Sequence, residues 1–187
     1  MNVYDFDKTI YHKDSTVDFY FYQLKKNPSL IRFAPVQLVG FVKYKLNLIN
    51  KTELKRHIYK YLKGVKDIDK EVEEFWDGHI NGVNSFYLQR HQDDDVVISG
   101  SAYWMVKPAC DRLDIKCLIA SEVDRFNGEV LSENCSDQQK VIRFRQAGFD
   151  TNDIDIFYSD SHDDEPMARL AKKAYLVKNG NVTDWEF

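Results

Sequence analysis

The sequence predicts an α/β protein: a Rossmann-like, mostly parallel sheet with helices on both faces, plus a small all-helical cap inserted after the first strand. Three observations lead there. In the second half of the chain, short β-branched runs alternate with helical patterns. A lone strand-like run stands at the start, and residues 15–91 after it carry only helical patterning. Polar residues collect where the strands end, which is where open α/β sheets bind ligands.

The elements follow in order. Asn2-Val3-Tyr4-Asp5 is the first strand, running into Phe6-Asp7-Lys8-Thr9. Ser15-Thr16-Val17-Asp18 resembles a capping box that opens the cap. Asn27-Pro28-Ser29 breaks that helix and starts another, with Pro35 near its first turns or kinking it. Residues 52–63 read as a third helix stopped by Gly64, and residues 67–76 start a fourth that Gly78 and Gly82 weaken. Then the grammar changes. Residues 95–99 and 115–121 read as buried strands around a helix over 103–113. Asn127-Gly128 predicts a hairpin over 126–130, because that pair suits a tight turn. A helix over 137–147 ends at Gly148, and residues 155–160 form a strand running into acid. A short helix over 166–171, a strand over 174–177 and a turn over 178–181 complete the chain. The expected division is a core of residues 1–14 and 92–187 and a cap of residues 15–91.

With 187 residues, 43% of them hydrophobic, the chain can bury one core carrying an insertion. A net charge of −4 argues against a nucleic-acid binder. The cysteines, Cys110, Cys117 and Cys135, are odd in number and form no C-x-x-C pair. Neither a disulfide framework nor a zinc site is expected, and a cytoplasmic setting fits. No apolar run reaches the ~18 residues of a spanning helix, and no signal-peptide pattern is visible.

Three polar groups fall at strand ends: Asp5-Phe6-Asp7-Lys8-Thr9, Ser99-Gly100, and Asp160-Ser161-His162-Asp163-Asp164. Lys140 lies on the helix leading to the third. Clustered carboxylates repel one another unless a cation offsets them. An all-oxygen set suits a hard divalent ion, and Mg²⁺ fits best because it keeps waters for phosphate.

Taken in order, four motifs resemble those of the haloacid dehalogenase superfamily, in its phosphoserine-phosphatase-like branch with a helical cap after motif one. They are Asp5-Phe6-Asp7-Lys8-Thr9, Ile98-Ser99-Gly100, Lys140 within Ser136-Asp137-Gln138-Gln139-Lys140, and Tyr158-Ser159-Asp160-Ser161-His162-Asp163-Asp164-Glu165-Pro166. The resemblance implies that Asp5 is the nucleophile and forms an aspartyl-phosphate. It implies that Asp7 is the acid and then the base, and that Ser99 and Lys140 hold the phosphoryl oxygens. Mg²⁺ would be held by Asp5, the Asp7 carbonyl and Asp160, supported by Asp164, with Asp163 the alternative. Thr9 would fix the motif-one loop. Thr9, Asp14, Gly100 and Arg56 are the candidate substrate-binding residues. Asp14 stands where the branch usually has a longer Glu, and Gly100-Ser101-Ala102 replaces the usual Gly-Gly-Phe. The likeness therefore carries the chemistry without phosphoserine as the substrate.

Physical chemistry supports the same reaction class. A carboxylate attacking a phosphate dianion meets repulsion, which Mg²⁺ and Lys140 offset. A departing halide needs no proton whereas an alkoxide does, so Asp7 favours phosphoryl transfer over carbon–halogen cleavage.

Residues 20–66 hold eleven basic residues against the single acid Glu53, a surplus of +10 that leaves −14 elsewhere. Either the lysines solvate helix faces while the apolar residues pack the cap, or the cap faces an anionic substrate, with Arg56 gripping a second anionic group. Contact with an anionic membrane through Phe33, Val36, Leu38, Val39 and Phe41 is a third reading, weaker than these. The expected function is a Mg²⁺-dependent phosphatase acting on a small anionic phosphomonoester, with no nucleic acid and no obligate protein partner. The alternatives are a phosphotransferase, a lipid-phosphate phosphatase, or a receiver-like module phosphorylated for signalling. Receivers lack the D-x-D pair and the insertion.

Overall fold

The short apolar runs pair into one six-stranded sheet in a computed structural model that describes residues Met1–Phe187. The strands are β1 (Asn2–Tyr4), β2 (Val96–Ala102), β3 (Cys117–Ser121), β4 (Ile156–Ser159), β5 (Lys173–Lys178) and β6 (Asn181–Asp184). Their order is β3-β2-β1-β4-β5-β6, with every pair parallel except β5 and β6. The helices are α1 (Ser15–Lys26), α2 (Ala34–Lys45), α3 (Lys51–Ile58), α4 (Ile68–His79), α5 (Ser85–Arg90), α6 (Tyr103–Arg112), α7 (Gln138–Gln146) and α8 (Glu165–Ala168). The first five all lie between β1 and β2, so the predicted helical insertion after the first strand is present.

Strand alternation sorts side chains to two covered faces. Tyr4, Val97 and Tyr158 join a cluster with Phe19, Phe75 and Trp76 of the insertion and Met105 and Val106 of α6. Val3, Val96, Ile98 and Phe157 point the other way, against Val141 and Phe144 of α7 and Met167 and Ala168 of α8. Tyr4 and Tyr158 stack across neighbouring strands, with ring centroids 4.7 Å apart.

The insertion has two parts. Its α1–α4 part shares one apolar cluster with the sheet, and the Trp76 indole N–H donates to the Met105 carbonyl at 2.6 Å. The α2–α3 hairpin stands outside that cluster. It buries only Gln37, Gly40 and Leu54. Gly40 leaves no room for a Cβ against the His57 side chain, and the Gln37 amide donates to the Ile58 carbonyl at 2.9 Å. Leu38, Val39 and Phe41 point to solvent rather than packing the cap, and Phe33 and Val36 are half-buried.

Local geometry corrects several expectations. Asp14, not Ser15, caps α1: its carboxylate accepts the Val17 N–H at 3.0 Å. Pro35 occupies the first turn of α2 and does not kink it. The third helix tightens after Ile58 into a 3-10 turn over Tyr59–Gly64. The hairpin expected over 126–130 is reduced to a turn without regular strands, in which the Asp124 N–H donates to the Glu129 carbonyl at 2.8 Å and the Leu131 N–H to the Glu122 carbonyl at 2.9 Å. The Asp124 carboxylate takes the Phe126 and Asn127 N–H groups, leaving one isolated bridge, Val123 to Val130. At Gly128, φ is +74° and a Cβ would meet the Tyr59 carbonyl, so this loop seats directly on the cap. The turn at Asn179 and Gly180, both with positive φ, folds back a sixth strand that was not predicted.

The chain winds outward in both directions from β1, so β1 and β4 flank the point where strand order reverses. Such a point opens a crevice at the carboxyl ends of the strands. Asp5 and Asp160 are the first residues beyond those two ends.

Candidate active site

Asp5 is anchored at the sheet by its N–H, which donates to the Tyr158 carbonyl at 2.8 Å. The Lys140 ammonium, almost fully buried, lies 2.6 Å from Asp5 Oδ1 and 2.6 Å from Asp164 Oδ2. The Ser159 hydroxyl donates to the same Asp164 oxygen at 2.7 Å. One cation thus serves two buried carboxylates. Burial, together with the nearby Asp164 and Asp7, pushes Asp5 up to about 8 against the pull of Lys140. Burial alone would lower Lys140, but Asp164 and Asp5 hold its proton and it moves up.

Asp7 is held by two donors from opposite sides. The N–H of Ser15, first residue of α1, donates to Asp7 Oδ1 at 2.7 Å, and the Ser101 hydroxyl donates to Oδ2. Burial and the Asp14 charge push Asp7 up to about 6, while these hydrogen bonds oppose the rise. Just beyond Asp7 the backbone doubles back, with Lys8 at φ +59° and the Tyr11 N–H on the Phe6 carbonyl at 2.9 Å.

The Ser99 and Ser101 pair arises from an irregularity in β2. Pairing with β3 jumps from Ser99–Ala120 to Ala102–Ser121, which frees Gly100 and Ser101 from the ladder. The Ser101 N–H donates to Ser99 Oγ at 3.0 Å. Asp160 is half-buried. Its carbonyl takes the Lys178 ammonium, but its carboxylate receives no hydrogen bond from the protein. Burial raises its pKa, countered by Lys8 and Lys178.

A cleft of about 310 Å³ brings together Asp5, Asp7, Gly100, Lys140, Asp160 and Asp164. Asp14 stands on its wall while capping α1. Ser99 lies fully buried just behind Gly100. Asp163 pairs with Lys51 on the exposed side. Thr9 is fully buried away from the cleft and its hydroxyl has no partner. It steadies the loop through its carbonyl, which accepts the Asn84 amide at 2.7 Å. Arg56 is exposed, paired to Glu53 and absent from the cleft wall.

Three residues at the site escaped sequence reasoning. Ser101 and Ser15 hold Asp7 through a β2 irregularity and a helix start, which single residues do not advertise. Lys55 projects into the cleft where Arg56 was expected, and its ammonium donates to the Gly100 carbonyl. Lys51 and Lys55 are four apart, hence on one helix face, whereas Arg56 is turned about 100° from it. Burial pushes Lys55 down to about 8, opposed by Asp7 and Asp14.

The profile of the haloacid dehalogenase-like hydrolases matches residues 3–169 of this chain. The chain belongs to that family. Solved structures agree with this haloacid dehalogenase-like fold. A protein of unknown function from Bordetella pertussis Tohama I superposes with a TM-score of 0.74 at 18% identity, covering 93% of this chain and 87% of that one. A phosphoserine phosphohydrolase-like protein from Francisella tularensis subsp. tularensis SCHU S4 gives 0.56 at 15% identity, over 93% and 86%. A probable phosphoserine phosphatase from Vibrio cholerae gives 0.57 at 14% identity, over 92% and 55%. At such identities the likeness is one of fold. No curated protein matches the sequence. As a haloacid dehalogenase-like hydrolase, the chain has no helix long and apolar enough to cross a membrane.

Proposed function

We propose that this hydrolase is a Mg²⁺-dependent phosphatase that cleaves a small anionic phosphomonoester through an aspartyl-phosphate on Asp5. The observation that carries this is the Asp5–Lys140–Asp164 cluster, with Asp7 held beside it by Ser15 and Ser101. An Asp5 oxygen attacks phosphorus, and the bond to the ester oxygen breaks. That oxygen takes the proton from Asp7, releasing the alcohol. Asp7, now ionised, takes a proton from water as the water attacks phosphorus. Asp5 is regenerated, inorganic phosphate leaves, and one water is consumed. Ser99 Oγ is buried behind the cleft wall and accepts the Ser101 N–H, which supports a role in positioning the Gly100–Ser101 backbone that lines the cleft.

The donor set suits Mg²⁺. Asp5, Asp160 and the Asp7 carbonyl offer oxygen only. The one cysteine on the cleft wall, Cys135, is a thiol pushed up to about 11 by burial. The Asp160 carboxylate has no partner of its own. When bound, Mg²⁺ shields the phosphate charge from the approaching carboxylate.

Lys55 supports an anionic substrate, because it is a half-buried cation at the cleft without a carboxylate partner. The test is a phosphate-release screen with and without Mg²⁺. Activity is expected to disappear in EDTA and return with Mg²⁺, and esters carrying a second anionic group should outperform neutral alcohol phosphates. Full turnover in chelator would remove the metal from the mechanism.

Asp7→Asn is expected to lower kcat on an alkyl phosphate by about 10²–10⁴-fold. On p-nitrophenyl phosphate, whose leaving group departs without a proton, the first step should survive and give a burst of nitrophenol while phosphoenzyme accumulates. In the wild type the protonated form of Asp7 is lost as pH rises through about 6, so alkyl ester cleavage should fall on the alkaline side. That limb should vanish in Asp7→Asn. Loss of the nitrophenol burst along with alkyl ester cleavage would refute the acid role.

A further inference from the structure

We propose that the outer face of α2 docks on an anionic lipid bilayer, a property that stands independently of the phosphatase reading. The helix is built inside out. Its buried residues are a glutamine and a glycine, Gln37 and Gly40, and its large apolar side chains face solvent. Leu38, Val42 and Leu46 follow at intervals of four along one face and are 64%, 50% and 63% exposed. Val39 and Phe41 flank them, and Leu48 extends the patch past the helix end. Six of the fifteen large apolar side chains exposed on the molecule thus fall within residues 38–48. Scattered apolar residues need no explanation, but a contiguous face of this kind marks a surface that something covers.

Charge selects the occupant. Lys43 and Lys45 sit in the last turn of α2, and neither has an acidic partner. No Asp or Glu occurs anywhere in residues 19–52. A second copy would bring the same lysines against these, like charge against like, whereas anionic headgroups complement them. At twelve residues α2 is too short to span a bilayer. Lying flat, it can bury the leucine face at the acyl boundary with its lysines at headgroup level, as interfacial helices do.

The experiment is co-sedimentation of the full chain with vesicles of phosphatidylcholine containing roughly 30% phosphatidylglycerol, and with pure phosphatidylcholine vesicles. Binding to the anionic vesicles is expected at low salt, at least about 10-fold weaker on pure phosphatidylcholine and at high salt. The double variant Leu38→Gln/Leu46→Gln changes only solvent-facing side chains, so its circular dichroism should match the wild type while vesicle binding falls more than about 10-fold. Lys43→Gln/Lys45→Gln should weaken binding to anionic vesicles alone. Wild-type protein left in the supernatant with anionic vesicles overturns the proposal, as does undiminished binding by the leucine variant. Concentration-dependent dimerisation abolished by the leucine variant would assign the face to a second copy and overturn it equally.

Discussion

Asp5→Asn is expected to yield a folded protein whose phosphate release falls by on the order of 10⁴-fold or more, because an amide replaces the attacking carboxylate. The variant should form no acid-stable, hydroxylamine-labile phosphoenzyme. Wild-type turnover would place the nucleophile elsewhere. The same change tests the electrostatics. In the folded chain Asp5 sits well above an ordinary carboxyl, so at neutral pH the fold retains a proton that the unfolded chain has released. The stability of the metal-free protein therefore falls as pH rises from the ordinary carboxylate range towards about 8. Metal-free Asp5→Asn should melt no lower than wild type at pH ~8, and any advantage should shrink towards pH ~5, where the wild-type carboxyl is itself protonated.

Lys140→Met should cost both activity and stability. It removes the one cation between Asp5 and Asp164, which are 10% and 6% exposed at their side chains. Breaking a buried ion pair by deleting one partner typically costs about 3–5 kcal/mol. The urea midpoint should fall accordingly, with phosphate release undetectable. A Lys140→Met protein as stable as wild type would show that the cluster contributes nothing to the fold.

The contrast between these residues and their neighbours explains what could be read from sequence. The place of Asp5, Asp7 and Asp160 at strand ends was legible because carboxylates directly after apolar runs have little structural reason to be there, whereas Lys140 was singled out by the resemblance of its motif. The strand–helix alternation was legible for a related reason: parallel strands are buried on both faces and read as continuous apolar runs. Ser101 was not legible, because its place depends on a shift in the pairing of β2 with β3. Lys55 and Arg56 differ only by helix phase, and a run rich in bases conceals which one faces inward. The apolar residues of α2 look like core in sequence. Only the packing of Gly40 on His57 reveals that the helix is turned with its small residues inward. The sixth strand was missed because its turn was visible but its four residues carry almost no buried apolar side chain.

The contact between Ser15 and Asp7 makes the cap a lever on proton affinity. The amide that steadies the acid belongs to the first turn of the helix leading into the insertion. Drawing that helix back withdraws a donor that favours the ionised carboxylate, so Asp7 then holds a proton more firmly. Seating the helix again loosens that hold. The first turn of the insertion is therefore part of what sets the proton affinity of Asp7.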